Sequence, residues 1–232
     1  NGEFTPAKGT IKIYKLSAPN SVLRQRPWGA PDYQSFSREY FNSLFPHDAY
    51  NNEQNSNNWE KGKLVLNKSF DTETSKTLKL GKIKKWESGQ YIITLESKDK
   101  FGQSVKDEIK TTLYSNTDKT LADHKLFSIT SNKAHFNTGD TAILTMASAA
   151  NNLSVTVSIE KNQKVVKTQV VQLNNNKKTI SVPITNEDLG GFSVSYSFAA
   201  FNSFQSGSLN ISVPYPKTEL DIETTTFRDK LQ

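Results

Sequence analysis

Strict two-residue alternation constrains this chain more than any other feature. In Phe192-Ser-Val-Ser-Tyr-Ser-Phe198, large and small side chains trade places at every step. A strand sends successive side chains to opposite faces, so this pattern makes one buried face and one wet face. The same period runs through Gly9-Thr-Ile-Lys-Ile-Tyr-Lys-Leu16, with Ile11 and Ile13 on one face. It returns where Tyr91, Ile93 and Leu95 share a face opposite Thr94 and Glu96. Antiparallel sheet with one side covered is the expected building material.

Turn formers divide the 232 residues into blocks. Residues 1–118 are expected to form a first domain, with strands at 9–16, 63–72, 77–84, 90–97 and 105–113. Glu87-Ser-Gly89 and Asp99-Lys-Phe-Gly102 punctuate them, with Phe101 expected to pack beneath its turn. Residues 20–60 break the pattern. Tyr33, Phe36, Tyr40, Phe41 and Leu44 recur at helical spacing, Asp32 or Ser35 can cap, and Pro46 stops the helix. This stretch is predicted to be a partly helical insertion whose aromatics pack down. Ser115-Asn-Thr-Asp-Lys-Thr120 has no apolar period and marks a boundary.

Residues 119–215 form the second block. Strands are predicted at 126–130, 141–147, 153–160, 165–173, 179–184, 192–201 and 207–213, with Phe192, Tyr196, Phe198, Phe201 and Phe204 in the core. About seven short strands and no convincing helix indicate a two-sheet antiparallel sandwich. After Val213-Pro-Tyr-Pro216, alternation of Leu220, Ile222 and Thr224 reads as the first strand of a following, truncated domain over residues 216–232. The expected architecture is an all-β tandem of two domains, the first carrying the insertion.

The residues exclude much chemistry. With no cysteine, there is no disulfide, thiolate metal site, cysteine nucleophile or thioester. No Gly-x-Ser-x-Gly, His-Glu-x-x-His or phosphate-binding glycine loop occurs. His47, His124 and His135 are scattered, and the carboxylate pairs Asp71 with Glu73 and Asp107 with Glu108 lack the aromatic frame of a sugar cleft. The turn at Asp99 has too few oxygen ligands for calcium. No catalytic, cofactor-binding or metal-binding residue is expected, no cofactor, and no enzyme activity. Asn67-Lys-Ser69, Asn152-Leu-Ser154 and Asn210-Ile-Ser212 fit the glycan acceptor pattern, but so Asn- and Ser-rich a chain produces such matches by chance.

The net charge of +6 is spread thinly. Its densest patch, Lys76, Lys79, Lys82, Lys84 and Lys85, reads as a solvated face, and no basic stripe interleaved with aromatics points to nucleic acid. No run approaches the ~18 apolar residues of a membrane span, so direct membrane insertion is not expected. Asn1-Gly-Glu-Phe4 has neither the basic start nor the apolar stretch of a signal peptide, as expected of a mature fragment.

The segment Val213–Leu231, which ends Thr226-Phe-Arg-Asp-Lys-Leu231, resembles one in bacterial alpha-2-macroglobulin-like proteins. There, a similar stretch opens the macroglobulin domain that follows such a pair. Gly9–Leu16, Arg24-Gln-Arg-Pro-Trp28, Phe45-Pro46, Gly89-Gln-Tyr91 and Asp99-Lys-Phe-Gly102 are similar to the preceding macroglobulin domain of Bacteroidetes-type members. The resemblance implies that both domains are seven-stranded, fibronectin- or immunoglobulin-like antiparallel β-sandwiches of about 100 residues, in a large extracytoplasmic protease trap. In such traps a cut in an exposed bait segment makes the ring of domains collapse around the protease, and some members add a Cys–Gln thioester. This Cys-free chain holds no thioester, and no long structureless bait stretch is evident. What carries over is a scaffold role in a broad-spectrum protease inhibitor, in the periplasm or at the cell surface. Its partners are then the other domains of the parent chain and, for the full-length protein, the target proteases.

Scaffold function puts the weight on the joints, where jointed sandwiches can rearrange. Ser115, Asp118 and Asp123 lie in the first connector, and Pro214 and Pro216 stiffen the second. The alternative is a carbohydrate-binding or adhesin module on the same fold, with Trp28, Trp59 and Trp86 as platforms.

Overall fold

A computed structural model describes residues 6–115 and 117–216. The strand predicted over residues 216–232 lies outside the described residues, apart from Pro216. The described chain is largely β, with antiparallel sheets, one short α-helix and a few single 3-10 turns.

Residues 8–113 build a four-stranded sheet in the order β2-β1-β3-β4. Its strands are β1 (Lys8–Leu16), β2 (Lys61–Asp71), β3 (Gly89–Lys98) and β4 (Ser104–Leu113). Register follows the alternation: Ile13 lies opposite both Leu66 and Ile93, and Ile11 opposite Leu95. Ile11, Ile13 and Tyr91 are the buried centre of that face, and Leu78, Leu80 and Trp86 pack over it. The cover is therefore not a second sheet. The strand predicted at residues 77–84 is absent. Leu78 and Leu80 do point inward as their alternation demands, but the backbone finds no ladder and tightens into a 3-10 turn at Ile83–Lys85. Alternation selects a buried face; it does not supply a hydrogen-bonding neighbour.

The opposite face is ionic. Lys12 meets Glu96 at 2.9 Å, and Glu108 receives Lys61 at 2.6 Å and Lys106 at 2.9 Å. Beneath these side chains Thr94 is fully buried.

Residues 128–211 form a complete sandwich. One sheet has the order β11-β10-β7-β8, the other β5-β6-β9. The first contains β7 (Leu153–Lys161), β8 (Lys164–Leu173), β10 (Phe192–Ala200) and β11 (Ser203–Ile211). The second contains β5 (Ser128–Ser131), β6 (Thr141–Ala147) and β9 (Lys177–Pro183). Leu144, Met146, Val155, Val157, Leu173 and Val194 meet between them, each fully buried. At ~1.5–3 kcal/mol per buried aliphatic side chain, this core dominates the fold. Phe204 is a correction: it is 72% exposed, because the hairpin pairs it with Ala199 on the outward face. Phe101 is likewise exposed, since Asp99 closes its turn by accepting the N–H groups of Phe101 and Gln103.

A buried ion pair closes one end of the sandwich. Asp188, in the turn between β9 and β10, accepts the Thr185 N–H and hydroxyl and lies 2.8 Å from the Lys161 ammonium. Burial pushes the Asp188 carboxyl up, but Lys161 and the Thr185 donors outweigh it and hold it below its usual value. A depressed carboxylate stabilises the fold above the unfolded-state value near ~3.9 and loses that contribution as pH falls through the folded value. Asp188→Ala strands the Lys161 charge and is expected to cost ~3–5 kcal/mol at pH 7. Thermal melts between pH 7 and pH 3 should show a shallower acid slope for Asp188→Asn than for the native chain; parallel curves would mean that Asp188 is not a main source of acid lability.

Candidate functional site: the joint between the sheets

The connector after β4 is pinned at both ends by carboxylates. Asp118 accepts the Ser115 N–H at 2.9 Å and the Ser88 hydroxyl at 2.5 Å. Lys177 of β9 approaches to 4.0 Å and donates to the Ser115 carbonyl at 3.4 Å. Asp118 thus touches both the β3 side and the sandwich. Burial raises its carboxyl, yet these donors and the Lys177 charge hold it below the usual carboxylate range.

Asp123 is the deeper anchor. Its side chain is 3% exposed and lies 2.7 Å from the Lys15 ammonium of β1. Its other oxygen accepts the Gln90 N–H of β3 at 2.7 Å. The backbone reaches this position in the left-handed region, with φ 59° at Asp123 and 49° at His124. Asp tolerates that region better than most residues because its short side chain finds local partners. The partner strand yields space: a Cβ on Gly89 would stand 2.3 Å from the Asp123 carboxylate, and Gly89 has φ +137°. Tyr91, beside Lys15 on the neighbouring strand, is pushed up to about 12 by burial, with Glu87 and Asp123 adding to the shift.

The insertion forms a second bridge. Its helix α1 (Arg38–Leu44) starts two residues later than the latest cap predicted, at Ser37, and has no buried residue. Tyr33, Phe36 and Tyr40 are exposed, so this aromatic segment does not pack down as predicted. The residues beside it do. Val22 packs against the sandwich core. Arg24 pairs with Asp48 through two nitrogens, at 2.5 and 3.1 Å, and donates to the Phe201 carbonyl at 2.9 Å. The His47 ring stacks on Phe201 at 3.5 Å, while its Nδ1 donates to the Val22 carbonyl. Phe201 and Asn202 are the two-residue turn between β10 and β11, with φ 51° and 58°. Paired left-handed residues suit the twist of a hairpin. A bulky Phe there is strained by ~1–2 kcal/mol, and the stack and the Arg24 cap hold it in place.

A cleft of about 210 Å³ separates the two bridges, with Arg24, Gln54, Trp59, Asp123 and Phe127 in its wall. Of the residues expected at joints, Asp123 lines this cleft, while Ser115 and Asp118 bond to each other at the start of the connector. Pro214 and Pro216 are exposed past the end of the sandwich. Lys15, Arg24, His47, Asp48 and Phe201 were missed, although Arg24 lay within a stretch the resemblance had marked. No group of three or more metal-ligating side chains converges among the described residues. No helix among them is long and apolar enough to cross a membrane.

Residues 127–232 match the family model described as the alpha-2-macroglobulin bait region domain. The C-terminal part of the chain is therefore similar to an alpha-2-macroglobulin domain, and the match takes in the sandwich. No curated protein matches. A solved structure described as a tetra-tandem repeat in the extending region of a large adhesion protein is 12% identical, with a TM-score of 0.28. The overlap covers 88% of this chain and 42% of that one, and so loose a superposition carries no argument.

Breaking the Asp123 anchor should separate the halves before it unfolds either. Asp123→Ala leaves the half-buried Lys15 without its partner and is expected to cost up to about 3 kcal/mol. Calorimetry should then split into two transitions, and protease should cut the 114–125 connector faster. A single, unshifted transition would show that the anchor does not couple the halves.

Proposed function

We propose that this chain is a non-catalytic scaffold piece of an extracytoplasmic, alpha-2-macroglobulin-like protease trap. The match of residues 127–232 to the bait region family is the observation that carries this reading. The double bridge gives it a mechanism. A domain ring that collapses after cleavage needs joints that resist until strain is released, then rearrange. Here resistance is concentrated in two ionic clasps, Asp123 with Lys15 and Arg24 with Asp48, and each can separate without unfolding a sheet core. The proposed partners are neighbouring domains of the parent chain and the proteases it meets, and the proposed location is the periplasm or cell surface.

The test uses the product of the complete reading frame. Mixed with a broad-specificity endoprotease, it should protect large protein substrates while small chromogenic peptides are still cleaved, as steric caging requires. Arg24→Ala with Asp123→Ala should slow the collapse that follows bait cleavage or lower its yield, read by native gel migration. A protease left fully active on large substrates would overturn the trap reading.

The carbohydrate reading has one observation in its favour: Trp28 is 70% exposed. The three indoles do not act together, because Trp86 stacks on Tyr91 in the N-terminal core and Trp59 donates its N–H to the Glu53 carbonyl. A glycan array hit lost in Trp28→Ala would move the balance toward this reading.

A further inference from the structure

The four-stranded sheet ends at β4, and nothing pairs with its outer edge among the described residues. Every residue from Ser104 to Thr112 is exposed, including Val105 at 52% and Ile109 at 55%. On β4, Val105, Ile109 and Leu113 extend the apolar face together with Asp107 and Thr111, since Asp107 lies opposite Leu95, Ile109 opposite Ile93 and Thr111 opposite Tyr91. A long open edge with apolar residues along it is a template for another strand.

We propose that the occupant is a second copy of this chain, paired antiparallel through β4 about a two-fold axis at Ile109. The four-stranded sheets would then join into one continuous sheet.

Charge selects this register. An antiparallel pair of identical strands can be centred on any residue, which then faces itself. Centring on Lys106, Asp107, Glu108 or Lys110 sets like charges directly opposite, which is destabilising. Centring between two residues puts the apolar face of one copy level with the charged face of the other. Centring on Thr111 leaves the first half of β4 unpaired. Centring on Ile109 sets Ile109 against Ile109, Val105 against Leu113 twice, and Glu108 against Lys110 twice. Apolar contacts fall on the apolar face, where Asp107 meets Thr111 and no like charge, and opposite charges fall on the ionic face. The present partners of those charges, Lys61 and Lys106 for Glu108 and the Asn57 carbonyl for Lys110, come from within one copy and leave the backbone edge open.

The absence of cysteine makes the test clean. Residues directly opposite in an antiparallel pair have Cα atoms ~4.5–5.5 Å apart, inside the ~4.4–6.8 Å span of a disulfide. Ile109→Cys should therefore give a covalent dimer under mild oxidation. Val105→Cys, whose copies would stand ~26 Å apart across the axis, should give none alone but should cross-link when mixed with Leu113→Cys. In sedimentation equilibrium, Lys110→Glu should weaken the dimer about tenfold, through two lost attractions and two new repulsions, and Glu108→Lys with Lys110→Glu should restore it. Ile109 is half exposed, so its variant should keep the native melting temperature. A chain that stays monomeric at every concentration overturns the proposal. So does equal cross-linking by Ile109→Cys and Val105→Cys, or a dimer indifferent to Lys110→Glu, which would place the contact elsewhere.

Discussion

Asp123 carries a charge into a place almost without water, and its partners come from two strands that are distant in sequence. A buried carboxylate must be paired or it becomes a large cost, so the positions of Lys15, Gln90 and Gly89 are all set by it. Lys15 supplies the charge, Gln90 a backbone donor, and Gly89 the room for the carboxylate to come close. The connector then turns through two left-handed residues and delivers Leu126 into the sandwich core, where its carbonyl accepts the buried Ser148 hydroxyl at 2.6 Å. One ionic contact thereby fixes where the first sheet ends and the sandwich begins. The contact is directional as well as strong, because two different oxygens are held by two different strands.

The second bridge works by a different means. Arg24 and His47 do not reach into a core; they hold a hairpin turn that is strained by itself. Phe201 in the left-handed region is tolerable only while its ring is stacked and its carbonyl capped. The strap and the turn stabilise each other, and losing either should loosen both. Clasps of this kind open locally. The sandwich core contains Val155, Val157 and Val194 whether or not the strap is docked. The structure therefore separates what folds the halves, aliphatic burial, from what orients them, a few charged and aromatic side chains at the rim.

This separation explains what was legible in the sequence. β1, β7 and β10 could be read from alternation because burial of one face is written residue by residue. Residues 77–84 misled for the same reason: Leu78 and Leu80 obey the rule of burial while the backbone lacks a partner. Phe204 misled because its face depends on the hairpin register, set by a turn with no glycine to announce it. Asp118 and Asp123 were placed at a joint by the loss of periodicity around them. Their partners were not, since Lys15 lies 108 residues from Asp123, and Arg24 lies 177 from Phe201. Such pairings exist only once the chain has folded, and no local period encodes them.

The two faces of the N-terminal sheet divide the remaining possibilities. One is a lattice of alternating charge through Lys12, Glu96, Lys106, Glu108 and Lys61, in which Glu108 is held at about 2 by hydrogen bonds from Lys61 and Lys106. Exposed pairs of this sort add little stability, but they would have to be desolvated to be covered, so this face stays wet. The other face is apolar and only partly covered by Leu78, Leu80 and Trp86. The β2 side of that face is shielded by the packed side chains of Val65, Leu66 and Phe70, while on the β4 side Val105 and Ile109 stand in solvent. A strand added outward from β4 would lengthen the apolar face over Val105 and Ile109 while the ionic face stayed in water.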